Sequence, residues 1–209
     1  MLAFSTYPCF LIDHVAEHVA VVSAGEAHRS HPTQGLLDAL TIRTHKRRFA
    51  GLKVAIVGDI RHSRVARSSA RALLTLGTPE IRLVGPAPLL PEEDEFAGAQ
   101  RFVHVEDGIA NADVIMMLRI QKERMERAAD LDDTRYFHQY GLPPARLALA
   151  APDVMVMHPG PMNRGVEIAT EVADGPHSVI REQVNAGVAV RMAILAMIAA
   201  TLTRRRKPL

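Results

Sequence analysis

Alternation of short apolar runs with helical stretches is the feature of this sequence that most constrains its fold. The run KVAIVGD, residues 53–59, is rich in β-branched side chains, and a helical pattern follows it from about Arg64 to Leu76. Runs of the same kind occur at residues 80–86, 101–105, 113–119 and 153–159. Because helical connections of this length join parallel strands, the sequence predicts an α/β fold, a doubly wound and mostly parallel sheet with helices on both faces.

Arginines follow two of the predicted strands. Arg64 stands near a helix N-terminus, where unpaired amides favour anions, and Arg119 and Gln121 follow the fourth strand. Ligands of such sheets bind at the carboxyl ends of the strands. Since a guanidinium binds a carboxylate through two parallel hydrogen bonds, the two basic strand ends predict a pocket for a small dicarboxylate. The alternative is that these arginines belong to the solvated surface, as basic residues in first helical turns commonly do.

Two further segments are candidates for the same site. The last strand runs into VMHPGPMNRGVEI, residues 156–168, whose prolines and glycines predict a rigid turn. HPTQGLLDALTI, residues 31–42, begins a predicted helix with His31 near its start. A histidine in this place is commonly a helix cap or a solvated side chain. A third interpretation is that a neutral imidazole at this place donates a hydrogen bond to a carbonyl oxygen. The sequence leaves all three interpretations of His31 open.

Composition narrows the classes of function. The net charge of +2 and the 4% of aromatic residues, with no Trp, disfavour nucleic acid as a partner. The G-x-G-x-x-G fingerprint is missing, which disfavours a nicotinamide-dependent oxidoreductase, and we expect no cofactor and no metal. Cys9 is interpreted as a small apolar filler in a reducing cytoplasm. We expect no signal peptide and no membrane span, because Arg191 interrupts residues 188–202, which have the length of a core helix.

Four segments together resemble the aspartate carbamoyltransferase catalytic chain, which carbamoylates L-aspartate in pyrimidine synthesis. They are residues 31–42, GLKVAIVGDIRHSRVARS at 51–68, LRIQKERM at 118–125, and residues 156–168. The resemblance runs from about residue 10 to residue 200. The sequence HPGP resembles the aspartate enzymes within the group, because the ornithine enzymes have a cysteine in that turn.

The resemblance implies a role for each candidate residue. His31 would hydrogen-bond the carbonyl oxygen of carbamoyl phosphate, and Gln34 would hold its amino group. Arg64 and Arg119 would bind the two carboxylates of aspartate, with Gln121 supporting the second. The turn at Gly160 and Pro161 would direct backbone carbonyls at the reacting nitrogens, with a cis peptide between the two residues. The implied chemistry needs neither a metal nor a covalent nucleophile.

The resemblance also implies a division of the chain. Residues 1–40 would be a remnant of the carbamoyl phosphate domain, residues 41–176 the aspartate-binding domain, and residues 177–209 a C-terminal helix that packs on the carbamoyl phosphate domain. The sequence contains no Ser-Thr-Arg-Thr motif and no loop with the Ser and Lys that a neighbouring subunit inserts, and AGEA replaces the usual AGDG before His31. We therefore expect a truncated chain with impaired activity alone, whose uncovered C-terminal helix promotes self-association.

Two classes of function remain open at this stage. The first is a cytoplasmic aspartate carbamoyltransferase, a homotrimer by resemblance, in which a partner chain could supply the missing half-site. The second is a non-catalytic, truncated homologue that acts as an assembly or regulatory scaffold. Formation of carbamoyl aspartate separates the two.

Overall fold

A parallel five-stranded sheet forms the centre of the protein. The computed structural model describes residues 2–4, 21–23, 30–92, 96, 98–120 and 132–205. The seven strands of these segments are β1 (Leu2–Phe4), β2 (Val21–Ser23), β3 (Lys53–Val57), β4 (Glu80–Val84), β5 (Ala99–Phe102), β6 (Val114–Met117) and β7 (Met155–Met157). The main sheet has the order β5-β4-β3-β6-β7 with every neighbouring pair parallel, and β1 pairs with β2 in a separate parallel ribbon.

Helices cover both faces of the main sheet, which confirms the predicted fold class. The described helices are α1 (Pro32–Lys46), α2 (Arg64–Thr75), α3 (Val105–Ile109), α4 (Asp133–Tyr140), α5 (Pro144–Leu147), α6 (Thr170–Ala173) and α7 (Ile180–Arg205), with a 3₁₀ turn at Ala87–Leu89. One buried cluster joins the sheet to Ile42 of α1 and Leu73 of α2. A second joins its other face to Ile109 of α3 and Val172 of α6.

The strand expected at residues 101–105 lies further towards the N-terminus. β5 ends at Phe102, opposite Val84, and the last hydrogen bond of the pair runs from the amide of Gly85 to the carbonyl of Phe102 at 3.1 Å. Val105 instead begins α3 and is buried against the second cluster. The prediction that Val105 belongs to a strand is therefore wrong.

The last helix, expected within residues 177–209, begins at Ile180. His177 and Ser178 run beside β7, where the amide of Val156 donates to the carbonyl of His177, and α7 then covers Ile180–Arg205. Its first turns pack on α1. The stretch Ile180–Leu202 is long and apolar enough to cross a membrane by length and composition alone, and only 6% of its most apolar part is buried. Residues 188–202, which were expected to have the length of a core helix, are therefore part of a longer and largely exposed helix.

Candidate functional site

A cleft of about 180 Å³ lies at the carboxyl ends of the central strands. Six of the seven residues singled out from the sequence line it: His31, Gln34, Arg64, Arg119, Gly160 and Pro161. The seventh, Gln121, lies outside the described residues. The cleft therefore combines the start of α1, the start of α2, the end of β6 and the turn after β7, four segments that are far apart in the sequence.

Arg64 reaches the cleft because the preceding loop is held by its own side chains. Ser63 caps α2 by accepting a hydrogen bond from the amide of Ala66 at 3.1 Å. The buried carboxylate of Asp59 accepts a hydrogen bond from the amide of His62 at 3.2 Å. These contacts fix the first turn of α2 and leave Arg64 as its first residue, at the wall of the cleft.

The other basic side chains at this strand end do not line the cleft. Arg67 donates from its guanidinium to the carbonyls of Ser63, at 3.2 Å, and Arg61, at 2.8 Å. The half-exposed guanidinium of Arg61 lies 3.9 Å from the carboxylate of Glu92. The cluster of basic residues seen in the sequence is thus divided, and one guanidinium from this strand end contributes to the lining of the cleft.

Arg119 is brought beside Arg64 by a close approach of two strand ends. Gly58, directly after β3, has φ +132°, and a Cβ at this position would lie 2.7 Å from the carbonyl oxygen of Leu118. A residue with a side chain would force the ends of β3 and β6 apart. Glycine therefore allows the segment that carries Arg119 to meet the segment that carries Arg64.

His31 is held as a neutral imidazole at the edge of the cleft. Burial, followed by the positive charges of Arg64 and Arg191, lowers the pKa of His31 to about 4. Its side chain makes no capping hydrogen bond to α1, which removes the interpretation of His31 as a helix cap. Its backbone amide donates to Ser68 Oγ at 2.8 Å, and its Nδ1 lies 3.4 Å from Thr33 Oγ1. A neutral imidazole can donate one hydrogen bond to a ligand without adding charge.

The turn after β7 is fixed by a buried histidine. Gly160 has φ +69° and precedes a cis peptide bond to Pro161. The amide of Gly160 donates to Nδ1 of His158 at 2.9 Å, so this nitrogen carries no proton and Nε2 carries it in the neutral ring. Nε2 lies 3.2 Å from the buried carboxylate of Glu167, which also accepts from the amide of Asn163. The hydrogen bonds of His158 and Glu167 on its buried side therefore fix the direction of the turn.

A buried polar network below the cleft was missed by the sequence analysis. Gln34 donates from Nε2 to Asp38 Oδ1 at 2.9 Å, and Asp38 also accepts from Ser69 and Gln183. The pair Gln34 and Asp38 has the i,i+4 spacing of neighbours on one helix face, a signal that the sequence contains. Ser69 and Gln183 lie 31 and 145 residues from Asp38, and no local pattern connects them. In the part of the chain that the structure describes, no group of three His, Cys, Asp or Glu side chains is arranged to hold a metal ion.

Most of this chain is similar to known proteins. Residues 50–198 match the family described as aspartate/ornithine carbamoyltransferase, Asp/Orn binding domain. Aspartate transcarbamoylase from Trypanosoma cruzi, in complex with carbamoyl aspartate and phosphate, is 26% identical, with a TM-score of 0.80 over 92% of this chain and 64% of its own. Ornithine carbamoyltransferase from Pyrococcus furiosus is 28% identical, with a TM-score of 0.79 over 93% and 64%. This chain thus spans slightly less than two thirds of the length of either protein.

Proposed function

We propose that this chain, which belongs to the aspartate and ornithine carbamoyltransferase family, transfers the carbamoyl group of carbamoyl phosphate to the amino group of L-aspartate. The observation that carries the proposal is the presence of Arg64 and Arg119 in one small cleft with His31, Gln34 and Gly160. In the proposed reaction the amine attacks the carbamoyl carbon, a C–N bond forms, the C–O bond to phosphate breaks, and phosphate leaves with the proton that the amine loses. Carbamoyl aspartate is a precursor in de novo pyrimidine biosynthesis, and we propose that the chain acts in this pathway in the cytoplasm.

The proposed roles follow from charge and hydrogen-bonding capacity. The two guanidinium groups bind the two carboxylates of aspartate and hold its amine in position. His31, neutral because its pKa is lowered, donates a hydrogen bond to the carbonyl oxygen, where negative charge develops as the amine attacks. Gln34 and the backbone of Gly160 and Pro161 orient the reacting nitrogens. The protein contributes orientation and electrostatic stabilisation, and no covalent intermediate is required.

Aspartate is favoured over ornithine by the charges of the cleft. The side-chain carboxylate of aspartate gives the second guanidinium a partner, whereas the ammonium group of ornithine would be repelled by it. The structurally similar proteins include both kinds of enzyme, and one structure of the Trypanosoma cruzi protein holds N-(phosphonacetyl)-L-aspartic acid. Parallel assays with aspartate and ornithine as acceptors test this choice. Carbamoylation of ornithine alone would contradict it.

Replacement of Arg119 by Ala is the direct test of the dicarboxylate site. We expect the affinity for succinate, an unreactive dicarboxylate, to fall roughly 10- to 150-fold, since a hydrogen-bonded charge contributes about 1.5–3 kcal/mol. Arg71→Ala is the matched control, because Arg71 is an exposed arginine on α2 whose loss changes the net charge equally. Calorimetry measures both variants at the same salt concentration. Equal affinity of the wild type and the Arg119→Ala variant would refute the assignment.

A second candidate function is the binding of dicarboxylates in the cleft without catalysis, through the same pair of arginines. A chain that binds dicarboxylates through the same cleft could serve as an assembly or regulatory subunit without catalysis. Succinate binding without any formation of carbamoyl aspartate, by the chain alone or in its native assembly, would favour this function. We propose a homotrimer as that assembly, which sedimentation velocity tests directly.

A further inference from the structure

Asp38 joins three helices beneath the cleft. Its Oδ1 accepts hydrogen bonds from Nε2 of Gln34 at 2.9 Å and from Nε2 of Gln183 at 2.8 Å, and its Oδ2 accepts from Ser69 Oγ at 2.6 Å. Asp38 is fully buried, and Gln183 is 1% exposed. The three donors come from α1, α7 and α2 respectively. A single carboxylate thus receives donors from three different helices.

An ionised carboxylate accepts hydrogen bonds and donates none, which fixes the orientation of both amides. The NH₂ groups of Gln34 and Gln183 point to Asp38, so their carbonyl oxygens point away from it. For Gln183 the consequence is visible, because its Oε1 accepts from the backbone amide of His158 at 3.0 Å. Gln34 lines the cleft, and the group it presents there is an acceptor.

We propose that Asp38 is a positioning residue that makes the cleft selective for an NH₂ group on the ligand. It acts by holding the amide of Gln34 with its carbonyl oxygen outward, and through Gln183 it also fixes the start of the turn that contains Gly160. This proposal rests on the proposed function in one respect, since the carbamoyl group supplies the NH₂. The cleft would discriminate in this way between a carbamoyl group and an otherwise similar carboxylate or acetyl group.

The charge state of Asp38 suits this role. Burial raises its pKa to about 6, while the hydrogen bonds from Ser69, Gln183 and Gln34 act in the opposite direction. The group is therefore mostly ionised at neutral pH and remains an acceptor. Buried carboxylates are costly unless donors surround them, and an aliphatic residue would occupy the same space at lower cost if only packing were needed. Three donors at 2.6–2.9 Å indicate that orientation is the function of the charge.

Hydrogen exchange of the glutamine side chains tests the orientation without any ligand. We expect the Nε2 protons of Gln34 and Gln183 in the wild type to exchange slowly, with exposed Gln100 as the internal reference. In Asp38→Asn, Oδ1 still accepts from both amides while Ser69 reverses its hydroxyl, so protection should persist. In Asp38→Leu, protection of Gln34 should be lost. Exchange of wild-type Gln34 as fast as Gln100 would overturn the proposal, even if the Leu variant did not fold.

Ligand discrimination tests the selectivity. Phosphonoacetamide carries the NH₂ group of the carbamoyl donor, and phosphonoacetate carries a carboxylate oxygen in its place. We expect the wild type and Asp38→Asn to prefer phosphonoacetamide by about tenfold in calorimetry, and Asp38→Leu to show no preference. An unchanged preference in a folded Asp38→Leu protein would overturn the proposal. If the wild type binds neither compound, the proposed function fails, and the exchange experiment still decides the role of Asp38.

Discussion

The crossing of α1 and α2 depends on the absence of a side chain at Gly35. A Cβ at this position would lie 2.7 Å from the carbonyl oxygen of Ser68, about 0.7 Å inside the 3.4 Å at which ordinary contact begins. The obstacle is backbone, so Gly35→Ala requires the two helices to separate. Overpacking of this kind destabilises the fold by roughly 1–3 kcal/mol, and the higher helix propensity of alanine stabilises the helix by about 1 kcal/mol. We expect a net loss of up to about 2 kcal/mol in the free energy of unfolding.

Gly187→Ala provides the matched control for this substitution. Gly187 is also a buried helical glycine, and its Cβ would lie 2.6 Å from an atom of another residue, the guanidinium Nη1 of Arg191. That atom is the end of a flexible side chain, so it can move aside. The stabilisation of up to about 1 kcal/mol from the higher helix propensity of alanine should therefore remain. Urea unfolding of both variants at equal protein concentration measures the difference. If Gly35→Ala is as stable as Gly187→Ala, the proposed steric role of Gly35 is wrong.

Two further predictions concern a buried charge and an exposed surface. Burial raises the pKa of Asp38 from 3.8 to about 6, so its contribution to stability is present below pH 4 and is lost as the pH rises through 6. In Asp38→Asn the free energy of unfolding should therefore depend less on pH between these values. Urea midpoints of the variant that keep the wild-type pH dependence would contradict this. Light scattering should detect self-association through α7, where Met192 and Met197 are 65% and 70% exposed. Lysine at both positions should reduce the association, whereas Leu149→Lys, elsewhere on the surface, should not. A monodisperse wild-type monomer would argue against this prediction.

The sequence was most informative about strands and about the places where strands end. A buried strand in a parallel sheet must be apolar throughout, and glycine or proline must follow where the chain turns, so both features are visible in KVAIVGD and in the HPGP turn. The exact end of β5 was not predictable, because it depends on the register in which β5 pairs with β4. The positions of Arg64 and Arg119 were predictable for the same reason, since the carboxyl ends of adjacent parallel strands meet at one edge.

The parts of the site that were missed depend on contacts distant in sequence. A list of basic residues could not distinguish Arg64, which lines the cleft, from Arg67, which donates to backbone carbonyls. The difference arises because the residue at which α2 begins decides which side of the helix each arginine lies on, and Ser63 sets that start by capping the helix. Likewise, Asp38 could be paired with Gln34 by helical spacing but not with Gln183, 145 residues away. Local patterns identify which residues can do chemistry, and tertiary packing decides how they are oriented.

Helix α7 connects the polar network below the cleft to an exposed apolar surface on the same helix. One side of its first turns is buried, with Gln183 bonded to Asp38 and to the amide of His158, while Val188 and Met192 further along are exposed. Met192 lies nine residues, or about 13.5 Å, from Gln183 on the same continuous helix. We therefore expect a displacement of the exposed part of α7 to alter the hydrogen bonds below the cleft. For this reason the lysine substitutions at residues 192 and 197 have to be tested for ligand binding as well as for association.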